Sequence, residues 1–334
     1  MDLKADFGDP RAEYTAAQTT AAMFDLSDRT QIEISGDDRA KFLHNFCTND
    51  VKALRPGQGC EALVTNIQGR VLGHIFVFVG DDSIWIDSVP NAESALLSHL
   101  QRYLITDDVE LKGRTDESAD LLLSGPQAAS KLSTLGIDAD SLSLYSHLVS
   151  EINTIAAAVR RVDFLNVPGF LISVKRQRLD EIQNRLTEIK IMPAGRTDYE
   201  ALRIEAGMPH YGIDVTDKNI AQEVGRTKQA ISFTKGCYLG QEPIARLDAL
   251  GHVNRQLCRL KLSSGSAPNA GSPVHAVDDR EIGRITSSAV SLADNLPVAL
   301  AYLRSGYVEP ATPVTIKTSD EMIPATVFRS APPS

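Results

Sequence analysis

Cysteine is scarce in this chain. Its four copies, Cys47, Cys60, Cys237 and Cys258, form no C-x-x-C pair and no zinc-ligand spacing. Four cysteines are too few to staple 334 residues, which points to a reducing compartment. A basic surplus is lacking too: 34 Lys and Arg stand against 43 Asp and Glu, a net charge of −9. An extended nucleic-acid footprint needs the opposite balance, so direct nucleic-acid binding is not expected. No apolar run approaches the roughly 20 residues that span a bilayer. The opening MDLKADFGDP has no apolar signal core. These absences together give the expectation of a cytoplasmic protein without a membrane partner. Nucleophile elbows of G-x-S-x-G type and Walker loops are also missing. The histidines are scattered, and none is spaced with another histidine or an acid as metal ligands are, so no protein-built metal site is expected.

What is present exceeds one core: 334 residues suggest two or three domains. The first ten or so residues and the closing APPS read as frayed ends. In SGDDRAKFLHNFCTND, Asp37 or Asp38 caps a helix on which Ala40, Leu43, Phe46 and Cys47 recur at helical spacing, making Cys47 a core residue. CEALVTN and RVLGHIFVFVG read as strands around a turn at residues 66–69. NAESALLSHLQRYL is an amphipathic helix with Leu96, Leu100, Tyr103 and Leu104 inward. Strand patterns at 156–167 and 169–175 are followed by a helix pattern at 178–189. GRTDYEALRIEAG opens with Thr197 and Glu200 at capping-box spacing and closes at Gly207. The mixture predicts an α+β arrangement with helices packed on mixed sheets. After about Val253 the chain turns to short strands and turn residues, which predicts a separate small β-barrel or sandwich.

Two stretches carry chemistry. In TKGCYLGQEPIARL, Cys237 sits two residues after Lys235 and is followed by Gln241 and Glu242. A free thiol has a pKa of about 8.5, and a nearby ammonium raises the thiolate fraction. From the residues alone two readings stand. Either Gly236 and Gly240 shape a loop in which Cys237 fills a small hole and Lys235 is solvated, or Cys237 reacts. In RIEAGMPHYGID, Glu205 lies at a helix C-terminus, where the dipole disfavours a carboxylate. It is either an ordinary solvated glutamate or an acceptor for two N–H groups of a heterocycle. GQGCEA fits G-x-G-x-x-A, but a strand follows where a dinucleotide fingerprint needs a helix.

Together, DLSDRTQIEISGDDRAKFLHNFCTNDV, LRIEAGMPHYGID and KGCYLGQEPIARL resemble the YgfZ branch of the folate-binding aminomethyltransferase superfamily, to which the glycine-cleavage T-protein belongs. The resemblance runs nearly end to end. It implies two ferredoxin-like lobes, interleaved within residues 1–250, and a C-terminal β-barrel over residues 251–334, arranged as a ring around a central tetrahydrofolate site. It implies support of iron–sulfur enzyme assembly or repair, hence indirectly of tRNA thio-modification, with iron–sulfur client or assembly proteins as partners. Carried over by position, Cys237 and Lys235 are the functional thiol and its ammonium. Glu205 holds the pterin, with Tyr199, Gln241 and Arg246 as further folate-binding candidates, and Lys228, Lys235 and Arg246 are the basic residues near in sequence that the anionic glutamate tail could seek, with no choice among them. One departure matters. Where T-proteins follow a Q-G-G-like turn with paired aspartates, this chain has QGRVLGHIFVF, with Gly73 and His74 in their place. A glycine supplies no charge to an aminomethyl transfer, and a protonated histidine supplies the wrong sign. A T-protein-type transferase is the alternative expectation, and a scaffold blind to folate is a third.

Overall fold

The structure, a computed structural model, describes residues 3–251, 253–319 and 321–328. Among the described residues eight α-helices frame it: α1 Pro10–Thr19, α2 Arg39–Phe46, α3 Glu93–Gln101, α4 Ala128–Ser133, α5 Leu179–Glu188, α6 Arg196–Ala206, α7 Thr227–Ala230 and α8 Gln241–Leu250. Two open sheets and one closed barrel carry them. The six-stranded sheet runs Met192–Ala194, Ala22–Asp25, Ser118–Ser124, Gly169–Lys175, Ile155–Val162, His147–Ile152. It is antiparallel except where Ala22–Asp25 lies parallel to Met192–Ala194. The five-stranded sheet runs Gly59–Thr65, Val71–Val79, Ser83–Ser88, Thr30–Ser35, Glu110–Gly113. The barrel closes six strands between Arg255 and Phe328. The expected α+β class, with two sheet lobes and a C-terminal barrel, is the fold observed. Among the described residues no helix is long and apolar enough to cross a membrane.

Most sequence patterns fold as their periodicity dictates. Cys47 is fully buried among Phe42, Leu43 and Val64. The turn at 66–69 forms, with the Gly69 amide donating to the Asn66 carbonyl at 2.9 Å. Some expectations fail for local reasons. Asp38 is the N-cap of α2, but its carboxylate does not cap the helix; it accepts from the Asp108 amide. Tyr103 lies beyond the end of α3, is partly exposed, and stacks on Phe46 rather than pointing inward. The helix α1 is unheralded in the sequence pattern above, although Asp9 accepts from the Ala12 amide and Pro10 stands at the first helical position.

The amino-terminal stretch is not frayed over its described length. The Lys4 and Ala5 carbonyls accept from the Arg196 and Thr197 amides. This corrects the capping box as well. The N-cap of α6 is Gly195, and its first orphan amides are satisfied by the chain's own amino-terminal strap. Glu200 pairs with Arg203 at 2.6 Å instead. The expectation for APPS falls on residues 331–334, outside those described.

Candidate functional site

Helix α6 sets the site. It closes at Gly207, which takes the left-handed conformation (φ 75°), and this places Glu205 on the last turn facing the barrel. Glu205 Oε2 accepts from the Tyr14 hydroxyl of α1 at 2.7 Å. Its Oε1 is buried and meets no donor among the described residues. The Arg259 guanidinium, on the barrel strand Arg255–Leu262, donates to the Glu205 main-chain carbonyl. Burial lowers the Arg259 pKa to about 10, and Glu205 opposes that shift.

A cavity of about 280 Å³ opens beside Glu205, walled by Tyr14, Leu202, Arg259, Lys261 and Phe328 among others. A second, of about 510 Å³, shares Asn166, Ala206, Arg259 and Phe328 with it and extends to Arg226 and Lys228. Both lie where the lobes meet the barrel. A buried carboxylate oxygen without a donor, on the wall of a cavity rimmed by Arg259 and Lys261, suits a heterocycle that presents N–H groups and carries an anionic tail. Sequence reasoning missed Arg259 and Lys261. The only available signal was their alternation in CRLKL, which puts both on one face of a strand.

The other expected site residues do not gather here. Tyr199 is buried against Phe24 and Arg196 and borders a separate small cavity near Leu3 and Phe7. It precedes Glu205 by six positions, which is roughly 240° around a helix, so the two cannot share a face. Gln241 opens α8, and Arg246 lies on its exposed side; neither lines the two central cavities. Lys228 does line the larger one.

Lys235 corrects the sequence reading most sharply. Its ammonium is drawn inward, donating to the carbonyls of His44 (2.5 Å), Cys47 (2.8 Å) and Asn49 (2.9 Å). It locks the loop onto the end of α2 and has no bond to the Cys237 thiol. Burial lowers its pKa. Cys237 itself is exposed, whereas Cys47 and Cys60 are buried and Cys258 is half-buried. Burial pushes Cys258 up to about 12 and raises Cys47 and Cys60 as well. Cys237 is exposed and lines neither of these two cavities.

The place of the absent acid pair is filled by packing. A Cβ on Gly73 would fall 2.7 Å from Leu96 Cδ2, and His74 is buried with Nε2 2.8 Å from Glu61 Oε1. Glu61 also binds Arg226 through both oxygens (2.8 and 2.5 Å) and accepts from the Tyr145 hydroxyl at 2.7 Å. Burial alone would raise the Glu61 carboxyl; Arg226 and His74 outweigh it and hold the group well below the usual carboxylate range. His74, Arg226 and Tyr145 together occupy both of its oxygens. Among the described residues, no cluster of three or more His, Cys, Asp or Glu is arranged to hold a metal ion.

Against known proteins, the GCVT N-terminal domain matches residues 6–235 and the glycine cleavage T-protein C-terminal barrel domain matches residues 255–333. An aminomethyltransferase of Herpetosiphon aurantiacus is 26% identical over 98% of this chain and 91% of its own length. A chloroplast protein of Arabidopsis thaliana, named only provisionally as a transferase, is 29% identical over 87% of this chain and 67% of its own. The crystal structure of the glycine cleavage system aminomethyltransferase T from Bartonella henselae superposes with a TM-score of 0.86 at 19% identity, over 95% of this chain and 88% of that one. At that identity the likeness speaks for the fold alone.

Proposed function

The chain belongs to the glycine-cleavage T-protein family, and from that premise we propose that it binds tetrahydrofolate without performing the T-protein reaction, and that its exposed thiol serves the upkeep of iron–sulfur enzymes. One observation carries the folate part: the buried, donor-less Oε1 of Glu205 on the wall of the cavity between α6 and the barrel. A reduced pterin offers paired N–H donors to a carboxylate and, when bound, brings a carrier for one-carbon units. Glu205 accepts those donors, Arg259 and Lys261 stand near the anionic tail, and Lys228 lines the adjoining cavity.

Two observations support departure from aminomethyl transfer. Gly73 and His74 offer no carboxylate, and the nearby Glu61 is saturated by Arg226, His74 and Tyr145. The iron–sulfur part rests on the sequence resemblance and on Cys237 being exposed while the chain's other thiols are wholly or partly buried. A cluster needs about four ligands, so Cys237 acts with a partner thiol, from a client protein or a small thiol. The second reading is a folate-dependent aminomethyltransferase, favoured by the names of relatives such as that of Herpetosiphon aurantiacus.

Anaerobic calorimetry with tetrahydrofolate tests the first part: the native protein binds and Glu205→Ala does not. Absence of binding by the native protein would remove folate from the reading. Assay with a lipoyl-linked aminomethyl donor separates the two functions, since turnover would establish the transferase. A Cys237→Ala strain should lose iron–sulfur enzyme activity as a deletion strain does, and full rescue by that variant would sink the thiol's role.

A further inference from the structure

We propose that Tyr14 is a positioning residue for the cavity: its hydroxyl, bonded to Glu205 Oε2, turns the carboxylate so that Oε1 is the oxygen presented to a ligand. The distance is 2.7 Å, and the two residues are 191 positions apart. Helix α1 crosses α6 and is fixed there by the neighbouring side chain. Glu13 Oε2 accepts from the Gly195 amide at 2.9 Å, and its Oε1 accepts from the Phe7 amide at 2.7 Å. With Glu13 anchored at the start of α6, Tyr14 reaches the other end of the same helix. Its ring is buried in the core with Leu202 and Leu165, so the hydroxyl cannot swing away.

A carboxylate on a helix end has two rotatable oxygens, and an entering heterocycle must otherwise pay to order them. The Tyr14 bond orders them beforehand. It consumes one oxygen and leaves the other buried with no donor. Ser291, just past the barrel strand Glu281–Val290, lines the same cavity, so α1, α6 and the barrel side all border it. Burial first, and Glu205 second, raise the Tyr14 pKa far above its usual value, so the phenol stays a donor throughout the working pH range. The charged groups around the pair are Arg259 and Lys261 of the barrel strand and Asp294, which Lys261 pairs at 2.7 Å.

The inference rests on the folate reading for its ligand but not for its first readout. In the ligand-free protein, the carboxyl carbon of Glu205 is observed by NMR at one neutral pH in the native protein and in Tyr14→Phe, with Glu205→Gln to assign the signal. Loss of the charge-assisted hydrogen bond from the hydroxyl shifts that resonance. In calorimetry, Tyr14→Phe weakens tetrahydrofolate binding about tenfold to a hundredfold, the scale of one hydrogen bond to a charged group. Added to Glu205→Gln it causes no further loss. A merely structural role for Tyr14 would leave the Glu205 resonance in place and make the two losses additive. An unmoved Glu205 resonance, or additive losses, would overturn the proposal. A native protein that does not bind tetrahydrofolate would overturn the folate reading, and the ligand-free spectrum would still decide for or against Tyr14.

Discussion

At the scale of single residues, solvent access separates the cysteines and backbone carbonyls claim the lysine. In the folded protein a thiol reagent should modify Cys237 at once, Cys258 slowly, and Cys47 and Cys60 only on unfolding. Mass spectrometry of the labelled protein checks the order. Lys235→Met should leave the Cys237 rate unchanged, because the ammonium serves three carbonyls and not the sulfur. It should instead cost about 2–4 kcal/mol of stability, read from urea unfolding. Asp198 offers a second test. It is fully buried beside Glu13, neither of its oxygens has a hydrogen-bond partner among the described residues, and burial followed by the Glu13 charge raises its pKa to about 7. A carboxyl with a raised folded-state pKa keeps its proton while the unfolded chain loses it. Stability therefore falls as pH climbs from about 4 towards 7, and levels off above that. Asp120, also raised by burial and by Asp87, acts in the same sense and cancels in a comparison of variant with native protein. The stability advantage of Asp198→Asn should accordingly be small at pH 4, grow towards pH 7, and be complete at pH 8.

At the scale of elements, the KGCYLGQE stretch is a shaped loop that delivers α8. Gly240 takes φ 87°, and a Cβ there would fall 2.3 Å from the Asn66 carbonyl oxygen, a backbone atom that cannot move aside. Gly240→Ala should cost on the order of 1–3 kcal/mol, seen as a lower thermal midpoint. It should also disturb the Thr65–Leu239 contact that ties the loop to the sheet. How much of this was legible depends on whether the determinant was local. The helix ending at Gly207 and the place of Glu205 upon it follow from R-I-E-A-G alone, and so do the buried face of α2 and the switch to a barrel. The opposition of Tyr199 and Glu205 was also within reach, since helical geometry separates positions six apart. The cap of α6 was not, because its acceptors come from Lys4 and Ala5, nearly two hundred residues away. Nor was the direction of Lys235: a two-residue spacing in a loop carries no orientation, and the carbonyls that capture it belong to α2 and the turn after it. Tyr14 gave no signal of any kind, since its partner is fixed only by how α1 crosses α6.

At the scale of the whole molecule, the two central cavities belong to no single unit. Glu205, Ala206 and Tyr14 come from the lobes, and Arg259, Lys261 and Phe328 from the barrel. A further tie, the pair Arg255–Glu223 at 3.1 Å, joins the first barrel strand to the segment before α7. Ligand held between two units stabilises the folded state through the elements it touches on both sides of the junction. Tetrahydrofolate at a hundred times its dissociation constant should therefore raise stability by about 2.7 kcal/mol. The gain should appear as slower hydrogen exchange on both sides of the junction, in α6 and in the strand Arg255–Leu262, while the far strand His147–Ile152 is unaffected. Glu205→Gln should abolish the protection on both sides together. Protection confined to the lobes, with the barrel strand exchanging as before, would mean that the ligand rests on α6 alone and that the barrel serves some other surface of the protein.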